Sequence, residues 1–491
     1  YPVTLDAQGQ GRVLYAAAPS LDADISLTLE GLRFIGGDAA GMGGDPQGDA
    51  GNGIYVSNAT LTLKNSQVSS NTISSDIGGK GGGLYIKSSV ATLSDNTISL
   101  NNTSTAGGLY INASVVIFNH NVISSNHAFA VGGLFQSDSD ATFIGNTFSS
   151  NTSTFGCGGL HLVSSNTTFN NNVVSFNTAG EDAGGGLCLF SNNATLKNNF
   201  IAHNWGVHGG GLSLQDSNAT LSGNSVLSNT ASGAFGEGSG GGLYVSGSTI
   251  TLTANTISSN ESRWYFVQSS FGGGLSASDS TITLDRNTIL SNTAVRGGGM
   301  FLNSVNATLV NNVIADNQAE VLGSGLYLHL SGDDSRLLHN TIARNGSSVL
   351  TAGSGGDGSG IYVTGLAHTL ALTNTILVSH AVGITVTAGN MAVLQGTLWG
   401  NVSDWGGAGI INIGANNVNV WGNPAFVDPD AGDYHIGPGS KAINAGLDAG
   451  VSIDADYEPR PYQAPDLGAD EYWPPGTLER LYLPIVTCRT S

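Results

Sequence analysis

Charge is scarce in this chain. Only 10% of its 491 residues are Asp, Glu, Lys or Arg, against about 25% in an ordinary globular domain. Basic residues are scarcest: Lys+Arg number 15 against Asp+Glu 35, a formal net charge of −20. Without a cationic face nothing can neutralise phosphates, which excludes a nucleic-acid partner. The same balance opposes adhesion to anionic lipid. Cysteine is limited to Cys157, Cys188 and Cys488, a small odd number that sets no disulfide framework. No run of about 20 apolar residues occurs, so no transmembrane segment is expected. The i, i+3, i+4 spacing of amphipathic helices is missing throughout. Methionine is missing at the first position, where Tyr1 stands, and removal of a leader segment would leave such an end.

What the chain has is glycine, 72 residues of it, together with 40% hydrophobic residues. That hydrophobic share is too high for a disordered polymer. The two occur in a repeat. A Gly-Gly-apolar phrase is followed by an apolar-x-x-Asn phrase, as in Gly132-Gly133-Leu134 and Phe148-Ser149-Ser150-Asn151. Eleven apolar leaders run from Ile54 to Leu326, and eleven closing asparagines from Asn71 to Asn345. Leader and Asn are 17 residues apart in the first ten copies and 19 in the eleventh, while the gap to the next leader varies from 8 to 16. Each copy therefore has one rigid part and one adjustable loop. Inside the rigid part, three short period-2 segments rich in Val, Ile, Thr and Tyr read as half-buried strands. Strands so short can pair only with the next copy, about 4.8 Å away. Three strands per turn, stacked in register, predict an all-β fold: a right-handed single-stranded parallel β-helix of about fourteen coils. Asn at the turn is expected to tolerate left-handed backbone angles and to stack as an internal ladder. The Gly pair is expected to adopt conformations barred to other residues. A leucine-rich repeat shares the period but needs a helical segment, and none is visible.

Those two phrases resemble the repeats of polymorphic outer-membrane proteins and related bacterial β-helix surface proteins, over roughly residues 25 to 420. A second stretch is similar to the choice-of-anchor Q domain. It comprises Asn423 to Pro429, Gly432 to Ile436, Gly439 to Gly446 and Asp466 to Tyr472. The expected organisation is a β-helix over 1–422, a choice-of-anchor Q-like module over 423–473 and a tail over 474–491. Both resemblances imply a secreted or cell-surface bacterial protein. The phrase Thr4-Leu5-Asp6-Ala7-Gln8-Gly9 opens the chain where relatives carry capping coils, so end-to-end association into filaments is one expectation. A cap made by residues 1–20 is the other.

Candidate sites follow from the same frame. The residue after each leader should point outward, which puts Tyr55, Tyr85, Tyr110, Phe135, Tyr244, Phe301, Tyr327 and Tyr362 in one external column. The column reads either as a platform for sugar rings or a neighbouring fibre, or as cross-strand stacking alone. The long loops 72–83, 230–242, 261–274 and 346–360 should all leave the same corner. Loops on a fixed scaffold commonly carry function, and 261–274 holds the apolar cluster Arg263, Trp264, Tyr265 and Phe266. Asp428, Asp430, Asp433, Asp454 and Asp456 form an acidic set of the oxygen-ligand type that suits Ca²⁺, though solvated turn Asp is the plainer reading. Asp333 and Asp334 are adjacent, so strand alternation makes them a poor catalytic pair. Cys157 and Cys188 take different places relative to their leaders, so no disulfide is expected between them. No required cofactor and no catalytic constellation is expected. The sequence favours a structural or adhesive extracellular protein, with a polysaccharide-binding or polysaccharide-cleaving protein as the alternative.

Overall fold

The computed structural model describes residues 2–19, 25–45, 48–73, 78–180, 183–233, 238–264, 269–332, 335–347, 357–414 and 419–477. Within these the chain winds as a right-handed parallel β-helix. The leader segments form one face, a sheet of 15 parallel strands running from Leu14–Ala17 to Ser403–Gly406. Two further faces come from the second and third segments of each coil, such as Val115–Asn119 and Val122–Ser124. Pairing is in register: Leu84 lies beside Leu109 and Ile98 beside Ile123. Fifteen rungs on one face, against about fourteen expected, make a rod about 70 Å long at about 4.8 Å per rung. The adjustable loops add a fourth strand, such as His127–Ala128 and Thr230–Gly233.

Burial explains the winding. All eleven leaders are fully buried, and they stack with the apolar residues of the other two faces into one continuous core. Each buried leucine-sized side chain contributes about 1.5–3 kcal/mol. The closing asparagines are buried too. Asn126 Nδ2 donates to Asn151 Oδ1 at 3.0 Å and to the Ile98 carbonyl at 2.9 Å, while its backbone N–H donates to the same Asn151 oxygen at 3.1 Å. The ladder repeats from Asn71 to Asn345, where His380 stands in for the next asparagine at 3.2 Å. The left-handed residue is the one before the asparagine, as at Ser125 (φ 54°) and Ser150 (φ 55°), rather than the asparagine itself. The side chain is thereby turned inward onto the next coil.

The same device serves the other two corners. A second ladder joins Asn96, Asn121 and Asn146 and continues to Asn340, with Nδ2 to Oδ1 distances such as 3.0 Å between Asn121 and Asn146. A third uses serine, as where Ser114 N–H donates to Ser139 Oγ at 2.9 Å. The Gly pair has a different cause from the one expected. Gly107 and Gly108 do not take positive φ. A Cβ there would meet the carbonyl oxygens of Gly132 and Gly133 at 2.7 and 2.5 Å, so glycine is required by the close approach of the next coil.

After Val420–Trp421 the chain runs back along the outside of earlier coils. Tyr434, Ile436, Ala442 and Leu467 pack on Ala315, Ala343, Ile376, Val378 and Leu398. Arg460 fastens the segment. Its guanidinium donates to His339 Nδ1 at 2.5 Å and to the carbonyls of Asp466, Gly468 and Ala469, and lies 3.5 Å from Glu471, both side chains fully buried. Burial, with the Arg460 charge beside it, pushes His339 down to about 3. The imidazole is therefore neutral and accepts the arginine's hydrogen bond.

Candidate functional site

The outward column exists and is mostly stacked. Tyr15, Tyr55, Tyr85, Tyr110 and Phe135 follow one another with ring centroids 4.9 to 5.3 Å apart, and Phe301, Tyr327 and Tyr362 form a second run at 4.8 and 5.3 Å. Tyr244 stands apart, against His208 at 5.1 Å. Near-parallel rings at one-rung spacing use their faces on each other, so each run offers mainly ring edges. A sugar stacks on a ring face, and within these runs the faces are taken. Tyr55 and Tyr85 are also buried, at 5% and 0% exposure. Arg12 lies over Tyr15 and Tyr55 at 5.5 and 5.2 Å, and the Tyr55 hydroxyl donates to the Gly44 carbonyl. Tyr55 is thus no part of an open platform, because the preceding loop folds over it, and Tyr85 is closed off in the same buried cluster with Ala50.

The long loops do leave one corner, between the closing asparagine and the next leader. In the 261–274 loop, Glu261–Trp264 is a strand and Arg263 pairs with Glu261 at 3.2 Å. The Trp264 side chain, Tyr265 and Phe266 lie outside the described residues, as do Asp333, Asp334 and Cys488.

The expectation for Cys157 and Cys188 is overturned. They form a disulfide with Cα atoms 6.3 Å apart. Cys157 precedes its leader by three residues, and Cys188 follows the leader of the next coil. The Gly-Gly bend folds the first position over the second. Gly184 shows the same geometry, since a Cβ on it would lie 3.0 Å from Ser213 Cβ in the next coil.

The five aspartates of the C-terminal segment do not converge. Asp428 caps the 3₁₀ turn Pro429–Ala431, and Asp430 pairs with Arg344 at 2.7 Å. Asp454 is buried and accepts the amides of Asp456, Glu458 and Glu471, so it organises the chain rather than offering ligand atoms. Only Asp433 and Asp456 meet, with His435 between them: Nδ1 lies 2.5 Å from Asp433 Oδ1 and Nε2 lies 2.6 Å from Asp456 Oδ2. The hydrogen bond to Asp456, helped by Asp433, raises His435 to about 10 against the cost of burial. Burial would raise the Asp433 carboxyl, but its hydrogen bonds with His435 outweigh that and bring it down. The arrangement holds an imidazolium where a Ca²⁺ set would need a cation. Asp470 adjoins it: ligand atoms of His435, Asp456 and Asp470 all lie within 4.8 Å of one another. Burial pushes the Asp470 carboxyl up to about 7. Asp470, raised by burial, thus shares a cluster with Asp433, which is held down, and carboxyls shifted in opposite directions can serve as proton donor and acceptor. Sequence reasoning had His435 and Asp470 inside the stretches that resemble the anchor domain, but did not bring them together as a cluster. Their only signal is the phrase Asp433-x-His435, and partners 21 and 35 residues away have no spacing rule.

A family model described as "Right handed beta helix region" matches residues 48–204, 138–270 and 235–398. The matches span more than half of the chain, and the chain belongs to the right-handed β-helix family. Two solved structures show similarity at low identity. The crystal structure of pectate lyase Pel9A is 13% identical, covers 80% of this chain and 89% of its own, and gives a TM-score of 0.41. A chain of the cryo-EM structure of the Vag8–C1 inhibitor complex is 14% identical, covers 85% and 96%, and gives 0.34. No curated protein matches. No described helix is long and apolar enough to cross a membrane.

Proposed function

We propose that the protein is an extracellular structural or adhesive rod, displaying variable loops on an invariant coil. The carrying observation is the separation of the two. The rigid part keeps its register along nearly the whole rod, while length variation gathers at one corner, beside the 15-stranded face. The Cys157–Cys188 disulfide supports an oxidising compartment, since such bonds are rare where thiols are kept reduced. An acidic surface poor in lysine and arginine supports solubility and a non-nucleic-acid partner. The segment 423–473, on this reading, is a lateral clasp and carries the surface-anchoring role that its resemblance implies.

The acidic pocket around His435, Asp456 and Asp470 favours a second reading, a polysaccharide-cleaving protein, because a carboxyl raised by burial next to a second carboxyl is the kind of pair that glycoside hydrolysis uses. One experiment separates the two. The protein is run through gels containing neutral or acidic polysaccharides, and the same mixtures are assayed for new reducing ends and for unsaturated products. Retardation without product supports the adhesive reading. Product that disappears in Asp470→Asn replaces it with the enzymatic one. Electron micrographs of the native protein address self-association: filaments support end-to-end contacts, and isolated rods about 70 Å long refute them.

A further inference from the structure

The outward column is interrupted by the single residue Ser276, between Tyr244 and Phe301, and over a longer stretch at one further place. Phe135 is followed by His161, Cys188 and Ser213 before a ring returns at Tyr244. Elsewhere a second set of side chains covers the column from the preceding corner. The residue four places before a leader lies over the outward residue of the next coil: Lys80 over Tyr110 at 5.3 Å, His208 against Tyr244 at 5.1 Å, Phe271 against Phe301 at 4.5 Å. Over His161, Cys188 and Ser213 the corresponding residues are Ala130, Gly156 and Ala183. At these three rungs the column thins and the cover is small or missing. The result is a cavity of about 450 Å³, within the range of small-molecule sites.

The lining shows what it suits. The disulfide and Ser213 form the floor, and Phe155 and Phe190, exposed at 46% and 40%, stand at the rims. The His161 ring meets Phe135 edge-on, with ring centroids 5.6 Å apart. Burial pushes this imidazole down to about 4, so at neutral pH it offers one donor and one acceptor. The Gln215 side chain and the Ser213 hydroxyl are the other polar groups in the lining. Walls this apolar, with an imidazole, an amide and a hydroxyl, are too poor in hydrogen-bonding groups for a sugar. They match one flat apolar ring bearing a single hydroxyl. Rings on this face already stack at about 5 Å, and sulfur against an aromatic edge is a favourable contact.

We propose that this gap is a binding site for a small monocyclic phenol, whose ring takes the missing place in the column and whose hydroxyl meets His161. The site is independent of the adhesive and enzymatic readings above.

The test is calorimetric or NMR titration of the intact protein with p-cresol, with toluene and cyclohexanol as controls. Saturable p-cresol binding is expected, about tenfold or more tighter than cyclohexanol. Ser213→Phe restores a ring of the kind found at the other rungs, and Ala183→Phe restores a cover like Phe271. Each should abolish binding while leaving the melting temperature unchanged. His161→Phe should weaken p-cresol several-fold and leave toluene unaffected. Failure of p-cresol to saturate overturns the proposal, as does equal binding by Ser213→Phe and Ala183→Phe when both remain folded. Equal loss of toluene and p-cresol in His161→Phe overturns the role given to the hydroxyl.

Discussion

Each coil turns three corners, and at each a single side chain answers for the backbone beneath it. Asn204 is representative. Its Oδ1 accepts from both the backbone N–H and Nδ2 of Asn177, and its Nδ2 donates to the Val174 carbonyl and to Asn229 Oδ1. Four hydrogen bonds converge on one buried amide that water does not reach. A buried polar group left without a partner costs about 1–3 kcal/mol. Asn204→Ala orphans several at once, and we expect it to destabilise the protein by more than about 2 kcal/mol in chemical denaturation. Asn218→Ala, at an exposed position with one 3.3 Å contact, should stay within about 0.5 kcal/mol. The closing asparagine was legible in the sequence because it recurs at a fixed distance from its leader. The second ladder was equally periodic, five residues earlier, but it sits inside a strand-like phrase and reads there as an ordinary turn residue.

The strands themselves are short, and their stability is collective. The C-terminal segment has little regular structure and is held by a few strong contacts. Arg460 and Glu471 are fully buried together. Removing one partner of such a pair typically costs about 3–5 kcal/mol, because the other charge is left unpaired in a dry site. Arg460→Met should therefore release the segment after Asn423 to protease while the coils stay resistant. Arg460→Lys should not rescue it, since a single ammonium cannot reach three carbonyls and an imidazole as the planar fork does. Acidity provides a second check. His435 is raised from about 6.5 to about 10 by its carboxylate partners. Its stabilisation is complete below the unfolded value and is lost as pH rises through about 10. Amide protection in residues 433–456, taken relative to base-catalysed intrinsic exchange, should fall between pH 8 and 10, and His435→Gln should flatten that fall. A flat profile in the unaltered protein would refute the assignment. This cluster was not legible in the sequence, because its members meet only when an irregular segment folds onto the coil. The disulfide was missed for a related reason: its cysteines occupy unlike places in the repeat, and only the fold of the glycine bend brings them together.

At the scale of the whole molecule, the repeat is regular enough that the fold was readable from spacing alone. A 17-residue interval held through ten copies can only be a solenoid unit. What spacing does not convey is which surface remains open. The aromatic column read either as a platform or as cross-strand stacking alone; stacking and loop cover close most of it and leave an opening where rings and covers become small over three successive rungs. On the proposed reading, function falls to the places where the repeat departs from itself: the long loops at one corner, the gap beside the disulfide and the clasp at the end. Central to this account is the claim that the coil is a scaffold and the loops bind. The most direct test is to cut the loops at 72–83, 230–242, 261–274 and 346–360 to the shortest natural length of seven residues, as in 102–108, and to measure adhesion of the trimmed and unaltered proteins to the same panel of extracellular polysaccharides and matrix proteins. The account predicts that the trimmed chain keeps its β-sheet circular dichroism and cooperative melting but loses adhesion. Undiminished adhesion by a folded, trimmed rod would contradict it.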